Sequence, residues 1–177
     1  VIIHLVATSS YRTLLDRFID AVKQVEGAYS LICLTAEGMI GCRDPLGIRP
    51  LVLGKLGDAY ILASETVAFD VVGAEFVRSV EPGELVIIRD GQLTSHRPFD
   101  ERPARPCIFE YVYFSRPDSI VDGTSVYSVR KAIGAELARE NPVEADLVIP
   151  VPDSGTPAAI GYAQESGIPF ELGIIRS

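Results

Sequence analysis

The sequence predicts two architectures in tandem: a layered α+β domain built on antiparallel strands, then the opening of an α/β domain built on parallel ones. Three observations predict it. The first hundred residues open on a helical period and then turn to short apolar or alternating runs separated by turn signals. The stretch Arg97 to Arg105 is charged and broken by Pro98 and Pro103; it follows neither period and reads as a linker. Beyond it the order is strand, glycine-containing loop, helix, strand, the unit from which parallel sheets are assembled.

The elements follow in order. Ser9 and Ser10 are placed to cap a helix whose apolar positions Leu14, Leu15, Phe18, Ile19, Val22 and Val25 recur at three and four, and Gly27 is placed to end it. The period then shortens. Residues 28–35, 39–44, 49–54 and 59–65 read as strands, joined by turns at Ala36-Glu37-Gly38, Asp44-Pro45-Leu46-Gly47 and Lys55-Leu56-Gly57-Asp58. A short helix is expected over Thr66 to Val72. A strand follows over 75–80, and then a hairpin over 84–96 with Asp90-Gly91 at its tip.

Past the linker, Pro106 to Ser119 (PCIFEYVYFSRPDS) gathers six large apolar or aromatic side chains around one carboxylate, Glu110; such a run reads as a buried strand. Val126, Val129, Ile133 and Leu137 set a helix from Ser125 to Glu140, closed by Asn141-Pro142. Asp146 to Pro152 is a continuous apolar run typical of a strand buried on both faces. Asp153-Ser154-Gly155-Thr156-Pro157 comes next, then a small-residue helix from Ala158 to Glu165, a turn at Gly167 and a strand-like stretch from Pro169 to Ile175. A loop between a strand's carboxyl end and a helix's amino end presents free amides and the positive end of the helix dipole, so it suits an anion. Gly155 lets backbone come close to a phosphate, and Ser154 and Thr156 add hydroxyls. An ordinary helix cap by Asp153 or Ser154 accounts for the same residues equally well.

Composition narrows the class. With 47% hydrophobic and 23% charged residues, the chain can fill a core and is not a disordered tail. No apolar run approaches the roughly 20 residues that a membrane-spanning helix needs, and no basic-then-apolar leader is present. The chain opens on Val1 rather than methionine, so it is expected to begin in mid-protein. The net charge of −8 is shared evenly across the linker, and neither part offers the basic face that nucleic acid requires. Cys33, Cys42 and Cys107 are too few and scattered for a disulfide framework, which fits a reducing cytoplasm.

Four stretches then carry a resemblance. Arg43-Asp44-Pro45-Leu46-Gly47-Ile48-Arg49-Pro50-Leu51, by itself a tight turn, is followed by Ala63-Ser64-Glu65 and resembles the glutaminase domain of class II amidotransferases. EYVYFSRPDS, followed by a helix and then PDS with AIGYA behind it, resembles the glutamine phosphoribosylpyrophosphate amidotransferase family over essentially the whole chain. The resemblance implies an N-terminal-nucleophile hydrolase-type α/β/β/α sandwich, present in part over 1–104 with the linker. It implies the start of a type I phosphoribosyltransferase domain over 105–177. It also implies an activity of purine biosynthesis: ammonia from glutamine displaces pyrophosphate from phosphoribosyl pyrophosphate to give 5-phosphoribosylamine. In that family the loop matching Asp153, Ser154, Gly155 and Thr156 meets the pyrophosphate end of the substrate, and the residue matching Ser154 is associated with Mg2+. A subgroup carries a [4Fe–4S] cluster whose first cysteine precedes the EYVYFSRPDS-type motif as Cys107 does; a buried packing residue is the other reading of Cys107. Purine nucleotide feedback inhibitors and a homo-oligomer are further implications.

No glutaminase catalytic residue is carried over. In this family the nucleophile is an N-terminal cysteine that uses its own amine as base, whereas Cys33 and Cys42 fall within strand patterns. The 177-residue chain by itself is expected to catalyse neither half-reaction. Two other readings stand beside this one: a non-catalytic protein that binds phosphoribosyl pyrophosphate or nucleotides for regulation, and another class II amidotransferase.

Overall fold

In the computed structural model, which describes residues 1–176, the chain divides into two compact units. The first comprises 1–64 and 77–106, the second 65–76 and 107–177. The short helical segment after Ala63-Ser64 therefore belongs with the second unit, although strand residues of the first unit flank it in sequence.

The first unit begins with α1 (Ile2–Thr8), which the sequence reading did not anticipate, and α2 (Leu14–Lys23). The α2 cap is Thr13 rather than Ser9 or Ser10: its hydroxyl oxygen accepts from the Asp16 amide at 3.1 Å. Ser9 instead donates to the Asp20 carboxylate at 2.7 Å. Gly27 has φ of +108° but lies beyond the helix end, where Gln24 is the capping residue.

Strands β1 (Ser30–Thr35), β2 (Gly38–Arg43), β3 (Val52–Leu56), β4 (Ala59–Ala63), β5 (Glu75–Ser79), β6 (Leu85–Arg89) and β7 (Gln92–His96) follow the expected pattern closely. One antiparallel sheet has the order β1-β2-β6-β7, the other β4-β3-β5. The β6–β7 hairpin turns at Asp90-Gly91, both with positive φ, which matches a two-residue turn to the twist of its strands.

Strand alternation divides the side chains between two layers. Ile40, Cys42 and Leu85 face α2 and pack with Phe18, Val22 and Tyr29. Val86, Met39 and Ile88 turn the other way and pack with Leu51, Leu53, Leu62 and Val80 of the second sheet. The layers are thus helix, sheet, sheet.

The loop after β2 is held by its own first two residues. Asp44 is fully buried; its carboxylate accepts from the amides of Leu46, Ile48 and Arg49 at 3.0–3.1 Å. The Arg43 guanidinium donates to the carbonyls of Gly47, Arg49 and Val80 at 2.8–2.9 Å. One side chain satisfies the loop's inward amides and the other its carbonyls, so little polar backbone is left without a partner.

Glu84, 1% exposed, is the unit's other buried carboxylate. Arg78 holds it in a fork at 2.7 and 2.8 Å, and the Ser95 hydroxyl and the Glu81 amide also donate to it. Burial alone would raise its carboxyl, but those four hydrogen bonds and the Arg78 charge outweigh burial and hold it at about 2.

In the second unit, α3 (Val67–Val72) is followed, after the linker, by a π-helical turn over Glu110–Phe114. The buried strand expected for this run is not formed. Ile108, Phe109, Val112, Tyr113 and Phe114 are at least 42% exposed, and the buried residues of the run are polar: Glu110, Ser115 and Ser119. The turn persists because Arg130, buried one turn into the next long helix, donates to the carbonyls of Tyr111 at 2.6 Å and Ser115 at 2.7 Å. Paired two-residue strands β8 (Ile120–Val121) and β9 (Thr124–Ser125) lead into α4 (Val126–Glu140), which Ser125 caps through the Ser128 amide.

The face of α4 that is buried is not the expected one. Val126, Arg130, Gly134 and Ala138 point inward, whereas Ile133 and Leu137 are 44% and 49% exposed. The cause is α5 (Thr156–Ser166), which approaches at backbone distance. A Cβ on Gly134 would stand 1.8 Å from the Ala158 carbonyl oxygen, and one on Gly161 would stand 1.9 Å from the Lys131 carbonyl oxygen. Small residues select this face. Residues 146–152 and 169–175, expected as strands, meet at one parallel bridge, Val148 with Phe170. Leu147, Ile149 and Val151 stay 46–72% exposed among the described residues.

Two outcomes follow. Gly134→Ala and Gly161→Ala are each expected to destabilise the second unit by about 3 kcal/mol or more, because backbone on the facing helix has to move; denaturant melts of each variant check this. Glu84 sits below the ordinary carboxyl value of 4.5, so its stabilisation is complete above that pH and fades as pH falls towards about 2. Glu84→Gln should therefore lower stability near neutrality by about 1–3 kcal/mol and flatten the acid side of a stability-against-pH curve.

Candidate anion-binding loop

The loop at residues 151–156 is built by the turn that starts α5. The Gly155 amide donates to the Val151 carbonyl at 3.2 Å and the Thr156 amide to the Asp153 carbonyl at 3.3 Å. Gly155 is required here: a Cβ would lie 2.6 Å from the Val151 carbonyl oxygen. The Pro152–Asp153 peptide is cis. Pro157, at the start of the helix, has no amide to leave unsatisfied.

The four residues singled out from the sequence are therefore brought together, with a refinement of their roles. Two of the amides expected to face an anion, those of Gly155 and Thr156, are spent within the loop. The amides of Asp153, Ser154 and Ala158 have no partner among the described residues, and the helix has no side-chain cap. The capping alternative is thus not what these side chains do. The hydroxyls of Ser154 and Thr156 lie beside these amides on half-buried residues, at the positive end of an 11-residue helix.

Asp153 brings a negative charge to the same place. It is exposed and pairs loosely with Arg176 at 3.5 Å. A phosphate entering alone would be repelled by this carboxylate, whereas a phosphate carrying a divalent cation would not. Magnesium keeps several waters and takes few protein ligands, so a single hydroxyl such as that of Ser154 suits it.

The cysteines fall elsewhere. Cys42 is fully buried in the first unit, and burial pushes its thiol up to about 12, so it is no nucleophile. Cys107 is partly buried and stands just before the π-helical turn. Among the described residues no group of three or more His, Cys, Asp or Glu side chains could hold a metal ion. Cys107 thus supplies one thiolate where an iron–sulfur cluster takes four, and the residues present do not form that site.

Sequence reasoning missed Arg130 and left Glu65 as a fragment of a motif. A cation on the inner edge of a helix, four residues after its first apolar position, was the available signal for Arg130.

Comparison with known proteins places this geometry. Residues 1–71 match the family model of the glutamine amidotransferase domain. The chain is 54% identical to the amidophosphoribosyltransferase of Rhizobium etli, covering 100% of this chain and 37% of that protein. It is 50% identical to the enzyme of that name from Bacillus subtilis, again over 100% of this chain and 37% of the relative. The solved Bacillus subtilis glutamine phosphoribosylpyrophosphate amidotransferase, complexed with ADP and GMP, superposes with a TM-score of 0.94 at 49% identity, over 99% of this chain and 39% of that one. The first unit accordingly has the sheet-rich α+β fold of a glutamine amidotransferase domain. The chain spans a little over a third of the length of these relatives.

Proposed function

We propose that the protein carrying this chain is an amidophosphoribosyltransferase, in which ammonia released from glutamine displaces pyrophosphate from phosphoribosyl pyrophosphate to give 5-phosphoribosylamine, a step of purine biosynthesis. The observation that carries the reading is that about half of all positions are shared with enzymes of that name along the whole chain, through both units. Residues 1–104 are then the later part of a glutaminase domain with its linker, and 105–177 the start of a type I phosphoribosyltransferase domain. The parallel bridge across α5 supports the second assignment.

In this reading Asp153, Ser154, Gly155 and Thr156 receive the pyrophosphate end of the substrate. The free amides of Asp153, Ser154 and Ala158 and the α5 dipole face its negative oxygens, and Gly155 keeps the turn tight enough to aim them. Ser154 is the residue of the loop that would hold Mg2+ through its hydroxyl, and the cation would supply charge neutralisation to a departing pyrophosphate. Cys107 enters only as a single candidate thiolate for a [4Fe–4S] cluster, and no step runs through it. Purine nucleotides as regulators, a homo-oligomeric state and a cytoplasmic location belong to the same proposal. The first is supported by the ADP and GMP named with the Bacillus subtilis structure.

Ser154→Ala, in the protein at the length of its relatives, is expected to raise the KM for magnesium phosphoribosyl pyrophosphate by about tenfold, the loss of one charge-assisted contact. Glutamine hydrolysis should keep its KM for glutamine. Unchanged transferase kinetics would remove Ser154 from the site.

A further inference from the structure

Glu65 ends the Ala63-Ser64-Glu65 motif, and nothing in the proposed chemistry uses it. Within the second unit it is heavily engaged. Its Oε2 accepts from the Arg116 amide at 2.8 Å and from the Ser119 hydroxyl at 2.6 Å. Ser119 is 1% exposed. The adjacent Thr66 hydroxyl oxygen accepts from the Ile120 amide at 2.9 Å. Two neighbouring side chains from a distant part of the sequence thus fasten three successive points of the turn 116–120.

That turn in turn holds the start of α4. The Ser119 carbonyl accepts from the Val126 amide at 3.1 Å and the Pro117 carbonyl from the Tyr127 amide at 3.0 Å. These are first-turn amides that have no partner inside their own helix. A second link runs through Arg130, which is 3% exposed. Its guanidinium donates to the Ser115 carbonyl at 2.7 Å, and the amide of that same peptide unit, on Arg116, is the one that Glu65 accepts. Burial lowers the guanidinium from its usual range and the Glu65 carboxylate acts against that. From α4 the chain of contacts is stiff. Gly134 bears directly on Ala158, in the first turn of α5, at a distance that admits no Cβ. The loop 152–156 is the lead into that same turn.

We propose that Glu65 is a positioning residue for the anion-binding loop, acting through the 116–120 turn and Arg130 on α4, which sets the start of α5. The inference rests on the phosphoribosyl pyrophosphate reading of the loop. A carboxylate has two functions here that separate by substitution: accepting hydrogen bonds, which glutamine can in part replace, and balancing Arg130, which glutamine cannot.

The test uses the protein at the length of its relatives, with ammonia as nitrogen donor. Glu65→Gln and Glu65→Ala are compared with Ser119→Ala. The expected result is a KM for magnesium phosphoribosyl pyrophosphate raised about threefold in Glu65→Gln and about tenfold or more in Glu65→Ala, with the KM for ammonia unchanged. The Glu65→Ala, Ser119→Ala double variant should lose less than the product of the single effects, as for two ends of one hydrogen bond. A purely structural role would lower the amount of active enzyme, and so kcat, without moving one KM alone. Glu65→Gln keeps the side-chain shape, so it decides the matter if Glu65→Ala does not fold. Unchanged phosphoribosyl pyrophosphate KM in Glu65→Gln, alongside an altered one in Ser154→Ala, overturns the role of Glu65 and leaves the loop reading standing. An unchanged KM in Ser154→Ala as well removes the loop reading itself.

Discussion

Two helices in the second unit meet with no side chain between their backbones, and that contact constrains everything around the candidate site. Gly134 admits the Ala158 carbonyl and Gly161 admits the Lys131 carbonyl, so α4 and α5 can approach in only one register. The gain is positional: a side chain can change rotamer, but peptide planes in van der Waals contact cannot yield without separating the helices. Because the Ala158 contact lies in the first turn of α5, the register of the pair also sets where the loop 152–156 points its free amides. The same contact explains why large residues such as Ile133 and Leu137 lie outward while a glycine, an alanine and an arginine lie inward.

The first unit relies on a different device. There a buried acid and a neighbouring buried base organise backbone rather than each other: Asp44 gathers three amides and Arg43 three carbonyls. Buried charges are costly unless their hydrogen-bonding capacity is filled. Here it is filled by the loop that the two residues begin, together with the Val80 carbonyl. Glu84 repeats the solution with Arg78, Ser95 and the Glu81 amide. Motifs of this kind read as turns from sequence, and the reading is correct as far as it goes, since the chemistry of the motif is spent on holding a turn.

Local codes were legible and remote ones were not. The Asp90-Gly91 hairpin, the start of α4 at Ser125, and the turn at Gly167 follow from residues within a few positions of the feature. The π-helical turn over Glu110–Phe114 was not legible, because the group that satisfies its carbonyls, Arg130, lies about twenty positions along the chain. The buried face of α4 was obscured for a related reason. Periodicity counts large apolar side chains, whereas this face is chosen by the absence of side chains opposite another helix. The strand expected over 146–152 reduces to a single bridge at Val148, so its apolar run marks exposed positions among the described residues. As for the site, the sequence pointed to Asp153 through Thr156 as a group, but could not show that two of its amides are turned inward.

The central claim is that the loop before α5 receives the phosphate end of a metal-bound substrate through the amides left free there. Backbone amide resonances of the isotopically labelled protein, followed as magnesium pyrophosphate is added, address it most directly. The account predicts saturable shifts concentrated at Asp153, Ser154 and Ala158, weaker when magnesium is withheld because Asp153 then repels the anion. Saturation elsewhere, with these three amides unmoved, would contradict it.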